Sequence, residues 1–304
     1  PEFTAAIHEA LDSGVIHTSN LFRTRPAADL ARWLTEHSFA DRVFFCNSGA
    51  EANEGAFKFA RRWAREAGGA EKHEIIAFRG GFHGRTFGAL AATDRPALQE
   101  PFAPLLPGVH FATLEKVDEV RALASRERTA AIIIEPLQGE GGVQPVSREF
   151  LAELRALCDE VDALLVFDEV QVGLGRTGTL WAYEASGVVP DLLTIAKPLA
   201  GGLPMGAVLL SDRVAAAIRP GDHATTFGGG PLVATAALAV CRRVGDPAFL
   251  ESVRKKGERI ERRLQELAAA RPGVVGVRGA GLIWGLLVEE PAASWYRGDM
   301  SCGL

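Results

Sequence analysis

The sequence predicts an α/β fold, a mostly parallel sheet flanked by helices, with a smaller, partial α+β unit at the C-terminal end. Three observations predict it. Short runs, apolar on both faces, alternate with helical patterns through the middle of the chain, as buried parallel strands joined by helices do. After residue 245 a long helical pattern leads into two further apolar runs. Glycine and polar residues cluster just after several runs, at the strand ends where sheets of this kind bind ligands.

Strands are expected at 43–46, 75–78, 132–134, 164–167, 192–195 and 207–210, each short and mostly β-branched or aromatic. Helical periodicity falls near 27–38, 49–66, 115–126 and 147–160, then near 231–244 and 246–270. The last stretch carries Arg254, Lys255, Lys256, Glu258 and Arg259, which read as a solvated face. Runs 274–277 and 282–288 read as strands of the smaller unit. The expected organisation is a remnant of an N-terminal segment over 1–18, a large unit over 19–245 and a partial small unit over 246–304. The tail at 291–304 shows no periodicity and is expected to be loose.

The 304 residues are 47% hydrophobic and 23% charged, enough for a large buried core. A net charge of -5 argues against a nucleic-acid or anionic-membrane partner. No apolar run approaches the ~20 residues that span a bilayer. The opening, Pro1-Glu2-Phe3-Thr4, shows no signal-peptide pattern. Cys46, Cys158, Cys241 and Cys302 are far apart, with no CxxC pair. No metal site or disulfide framework is expected, and the first three read as small buried hydrophobes in a reducing cytoplasm.

The chemistry lies after the strands. In Asn47-Ser48-Gly49-Ala50-Glu51, Ser48 and Glu51 have capping-box spacing, and Gly49 would let the backbone approach an anion at the helix start. A plain capped helix fits the same residues. Gly80-Gly81-Phe82-His83-Gly84-Arg85 holds a chain in unusual backbone geometry. There Phe82 could stack on a planar ring, and Arg85 could fork onto a carboxylate. His83 reads equally as a catalytic group or as a hydrogen-bonded or stacking one. Asp168, in Phe167-Asp168-Glu169, ends a strand as a cap, a metal ligand, a solvated corner or the partner of a protonated ring nitrogen. Lys197 ends another apolar run before Pro198, Gly201 and Gly202, where partial desolvation would make it a nucleophilic amine. Thr225-Thr226-Phe227-Gly228-Gly229-Gly230 offers a further phosphate contact or simply a loop. Together these give a nucleophilic lysine, a ring-nitrogen acid, an aromatic platform, an anion cradle and an arginine. Pyridoxal phosphate needs that set.

Five segments carry a family resemblance: NSGAEANE at 47–54, GFHGRT at 81–86, EPLQGEGGV at 135–143, FDEVQVGLGRTG at 167–178 and AKPLAGGLPMGA at 196–207. Over about residues 1–290 the chain resembles the class III aminotransferases of the fold-type I pyridoxal phosphate enzymes. NSGAEANE and EPLQGEGGV are most similar to the acetylornithine aminotransferases and also resemble ornithine aminotransferases. The resemblance implies that Lys197 forms the internal aldimine and that Asp168 pairs with the pyridine nitrogen. Gln171 would approach the ring hydroxyl, with Val170 on one ring face and Phe82 on the other. Ser48, Gly49 and Ala50 would hold the phosphate. Thr226 would complete the phosphate site of a neighbouring subunit, which implies a homodimer. Arg85 would bind a substrate carboxylate, and Glu140 would act in substrate selection.

The implied reaction moves the terminal amine of N-acetylornithine, or of a similar ω-amine, onto 2-oxoglutarate by a ping-pong route, with arginine biosynthesis and lysine synthesis both open as its pathway. Ornithine, 4-aminobutyrate, succinylornithine and acetyl-lysine are alternative donors. An aminomutase and an inactive cofactor-binding piece are alternatives of other classes. A nicotinamide-dependent dehydrogenase is disfavoured, since no GxGxxG follows a strand with a later acidic residue. Pro1 matches the middle of the family's HPxxxxAI segment, and the arginine segment that normally pairs with the residue matching Glu140 is missing, so both ends of the pattern are expected to be absent. Gly230 stands where the family usually has Asn.

Overall fold

The computed structural model describes residues 1–19 and 21–289. In chain order the elements are α1 (Glu2–Asp12), α2 (Arg25–Glu36), β1 (Arg42–Cys46), α3 (Gly49–Gly68), β2 (Glu74–Phe78), α4 (Phe87–Ala91), α5 (Pro96–Gln99), β3 (Val109–Ala112), α6 (Val117–Leu123) and β4 (Thr129–Ile134). A hairpin of β5 (Leu137–Gln138) and β6 (Gln144–Pro145) follows, then α7 (Arg148–Glu160), β7 (Leu164–Asp168), β8 (Leu192–Ile195) and β9 (Gly206–Leu210). The chain continues through α8 (Asp212–Ala215), α9 (Pro231–Val244), α10 (Pro247–Ala270), β10 (Val274–Ala280) and β11 (Ile283–Val288).

The main sheet has the order β1-β9-β8-β7-β4-β2-β3. Its strands run one way except β9, which is antiparallel to both β1 and β8. Residues 196–205 join β8 to β9 without a helix, and a parallel return needs a crossover of a dozen residues or more. The expected strands all form. Their alternation explains why they read as apolar on both faces. Ile132 and Ile134 of β4 enter one core with Phe78, Phe150, Leu154 and Phe167. Ala131 and Ile133 enter the other, under Ala52, Ala56 and Ala60 of α3. Each fully buried isoleucine contributes about 2 kcal/mol. The alanine-lined face of α3 brings that helix close to the sheet. A Cβ at Gly55 would stand 3.3 Å from Val208 Cγ2.

Some elements differ from expectation. Helix α1 occupies the segment expected to be a remnant. It buries no residue completely and lies near α9, and Phe3 leans over Gly201. Strand β3 was not foreseen, because Val109-His110-Phe111-Ala112 is too short and too mixed to read as an apolar run. As an edge strand it pairs only with β2. At the other end, β10 and β11 form a separate antiparallel pair beside α10. Arg278 Nε donates to Gly142 O at 2.6 Å and ties this pair to the loop between β5 and β6. Among the described residues no helix is long and apolar enough to cross a membrane. The tail at 291–304, expected to be loose, and Cys302 lie outside the described residues.

Candidate active site

The strands that run together end at one edge of the sheet, and the chain turns there into the segments singled out above. After β1, Ser48 caps α3 and its Oγ accepts from Glu51 N–H at 3.2 Å. The expected capping box is only half formed. Glu51 reaches past Ser48 and accepts from both the backbone N–H and the side-chain amide of Asn47, each at 2.8 Å. Asn47 offers two donors to one carboxylate oxygen, and that outcompetes the single N–H of the cap. No group among the described residues accepts from the N–H of Gly49 or Ala50. These donors open a helix of 20 residues, whose positive end favours an anion. Gly49 has no room for a side chain, since a Cβ there would meet Val170 Cγ1 at 2.5 Å. Val170 therefore lies directly on the start of α3.

Strand β7 ends on Asp168, which is 4% exposed. Its Oδ2 accepts from His83 Nδ1 and from Asn53 Nδ2, both at 2.7 Å, and its Oδ1 accepts from Val170 N–H at 3.0 Å. His83 is buried and hydrogen-bonded. Burial alone would lower its pKa, but the bond to Asp168 and the charges of Asp168 and Glu135 outweigh that and raise it. Asn53 also donates to His83 O at 2.7 Å and accepts from Thr194 Oγ1 at 2.8 Å. Thr194 of β8 stands opposite Asp168 in register, and Lys197 follows three residues later.

Two further buried carboxyls hold the loops around this acid. Glu135 Oε2 accepts from Phe82 N–H at 3.0 Å, and its Oε1 takes a longer bond of 3.4 Å from Gly139 N–H. Burial pushes it up to about 7, against the opposing charge of His83. Glu169 is fully buried and accepts from the N–H groups of Ala182 and Tyr183 at 2.7 and 2.8 Å. Burial pushes it up to about 8.

The other expected residues fall as follows. Lys197 is exposed, which corrects the expectation of a partly desolvated amine. The residues after it, Leu199 and Ala200, turn into the core and leave the lysine at the sheet edge. Phe82 and Gln171 are half-buried, and Gln171 lies against Gly139. Gly84 packs on Ala50 and joins the loop after β2 to the start of α3. Arg85 and Glu140 are exposed and form no ion pair among the described residues. The backbone carbonyl of Glu140 accepts from Arg95 Nη2 at 2.8 Å. Thr226 lines a cavity of about 650 Å³ with Phe22, Arg42 and Phe45, and a second one with Asn47 and Glu51 beside the start of α3. Among the described residues no group of side chains could hold a metal ion. Cys46, Cys158 and Cys241 are buried and unpaired, and burial pushes each thiol up to about 12.

Sequence reading gave no role to Asn53, Thr194 or Glu135, and noted Glu169 only as the neighbour of Asp168 at a strand end. The signal for the first two was a polar residue at a position that periodicity assigns to the core. For the glutamates it was a carboxyl at the end of an apolar strand.

A lysine one strand from a thrice-bonded buried acid, beside an open helix start, suits a group that joins an amine-reactive carbon to a cationic ring and a phosphate. The profile of the family "Aminotransferase class-III" matches residues 1–297, and the chain belongs to that family. Among curated relatives it is 49% identical to the mitochondrial acetylornithine aminotransferase of Alnus glutinosa, over 95% of this chain and 64% of that protein. It is 46% identical to the acetylornithine aminotransferase of Gloeobacter violaceus, over 100% of this chain and 76% of that protein. The chain thus spans a little under two thirds of the Alnus relative. Among solved structures, the ornithine aminotransferase of Toxoplasma gondii ME49 superposes with a TM-score of 0.91 at 31% identity, covering 96% of this chain and 70% of that one. The N-acetylornithine aminotransferase of Stenotrophomonas maltophilia K279a gives 0.81 at 37% identity, covering 96% and 72%.

Proposed function

We propose that the chain works as a pyridoxal phosphate-dependent aminotransferase that moves the terminal amine of N-acetylornithine, or of a similar ω-amine, to 2-oxoglutarate. The observation that carries this reading is Asp168, held by three donors at one strand end, with Lys197 past the end of the next strand. The residues fit the cofactor. Asp168 Oδ1 keeps acceptor capacity, Gly49 and Ala50 offer free N–H groups, and Phe82 and Val170 supply apolar walls. When bound, pyridoxal phosphate supplies a carbonyl that condenses with amines and a ring that takes up electrons.

In this reading Lys197 Nζ is the amine that holds the cofactor and carries the proton between donor and acceptor positions. Asp168 keeps a proton at the ring nitrogen. Ser48, Gly49 and Ala50 bind the phosphate, and Gln171 orients the ring hydroxyl. Arg85 receives a substrate carboxylate, and Glu140 lies near the amine being moved. Thr226 serves the phosphate site of a second copy, as the family resemblance implies, so the working unit is a homodimer. Residues 19–245 form the cofactor-binding unit, and 246–289 belong to a smaller unit. Unpaired buried cysteines suit a reducing compartment and support work in the cytoplasm. The names of the curated relatives support N-acetylornithine as donor.

Absorbance tests the reading. Purified protein with added pyridoxal phosphate should show a band near ~420 nm that Lys197→Ala abolishes. Protein that stays colourless overturns it. Half-reactions with N-acetylornithine, ornithine and 4-aminobutyrate should bleach the band, the first fastest. A cofactor band that no donor bleaches would instead mark an inactive cofactor-binding chain.

A further inference from the structure

Beneath the acid lies a polar side chain in an apolar place. Asn53 sits on the inner face of α3, between alanines packed on the sheet, and is 1% exposed. A buried amide must find partners for two donor hydrogens and a carbonyl oxygen. Here all are found. Nδ2 donates to Asp168 Oδ2 and to His83 O, and Oδ1 accepts from the Thr194 hydroxyl. The amide cannot turn over, because turning would aim its oxygen at a carboxylate and a carbonyl.

The consequence falls on Asp168. A carboxylate has about four lone-pair directions. Two donors, Asn53 and His83, meet on Oδ2, whereas Oδ1 meets only the Val170 N–H. The free capacity is therefore on Oδ1, and the two donors on Oδ2 set which way it points. Thr194 fixes Asn53, Asn53 and His83 fix Asp168, and none of the first three is exposed to solvent.

We propose that Asn53, locked by Thr194, is a positioning residue that presents Asp168 Oδ1 to the ring nitrogen of the cofactor. The proposal rests on the reading of the site given above and adds residues that reading does not use. Asn53 touches neither substrate nor cofactor and acts through Asp168.

The test uses the cofactor-loaded protein and pyridoxal phosphate labelled with ¹⁵N in the ring. The nitrogen NMR shift reports directly whether the ring nitrogen holds a proton, and absorbance titration gives the cofactor Kd. In Thr194→Val the Kd should rise about two- to tenfold, the scale of one neutral hydrogen bond. The ring nitrogen should lose its proton at lower pH than in wild type. Thr194→Ser, which keeps the hydroxyl, should restore both. Asn53→Ala should exceed Thr194→Val in each measure. If Asn53→Ala does not fold, the valine and serine variants at 194 decide alone. Variants that melt earlier yet keep the wild-type nitrogen shift and Kd overturn the proposal and leave Asn53 a packing residue. A wild-type protein that takes up no cofactor overturns the site reading itself, and this proposal with it.

Discussion

Gly84 and Asp168 show how closely single residues are specified. Gly84 has φ +135°, and a Cβ there would stand 2.8 and 2.9 Å from the Cβ atoms of Ala50 and Ala89. Gly84→Ala should therefore destabilise the fold by about 2 kcal/mol or more, read as a lower urea midpoint. Asp168→Ala strands three donors, on Asn53, His83 and Val170. It should lower the stability of the cofactor-free protein by about 3–5 kcal/mol, measured by thermal unfolding without cofactor. An unchanged melting temperature would contradict the bonding described. Residues of this kind were legible where they announce themselves: glycines in clusters, a carboxyl at a strand end, a lysine closing an apolar run. Asn53 and Thr194 were not legible. Thr is a common strand residue, and a polar Asn at a core position of a helix marks burial without naming its partners across the sheet.

The start of α3 couples an ordinary helix cap to the candidate site. Ser48→Ala removes the acceptor for Glu51 N–H and should cost about 1 kcal/mol of stability. By the same reading it should weaken cofactor binding, and fluorescence titration of the two proteins would check both effects. Glu51 engages Asn47 rather than the cap, a choice that spacing alone could not foretell. Most strands and long helices were legible because two buried faces demand continuous apolar runs. Strand β3 was not, because at the sheet edge partial exposure lets His110 stand among apolar residues. Helix α1 was not, because its segment has no residue fully buried to set a clear apolar face. The reversal of β9 follows from the short connection before it, not from its composition.

Over the whole molecule, three buried groups tie stability to pH in one direction. Glu135 and Glu169 have folded values near 7 and 8, above the ~4.3 of an unfolded glutamate. Between those limits the folded chain holds protons that the unfolded chain has released, so stability falls as pH rises. His83 is also raised and adds stability that is full below its unfolded value and lost as pH climbs through the folded one. The urea midpoint should therefore drop between about pH 5 and pH 9. Glu169→Gln, which cannot titrate, should flatten that decline, and an equal slope in both proteins would show that Glu169 is charged in the fold. The sheet order has a consequence of another kind. Strand β1 is bonded only to β9, so residues 42–46 wait for residues 206–210. A ribosome adding about 5–20 residues per second leaves them waiting for roughly ten seconds or more. The helix start at Ser48 thus reaches its final place after β7 and β8 have been made. During synthesis, the edge of the sheet beside that helix start is completed only once β9 has been made.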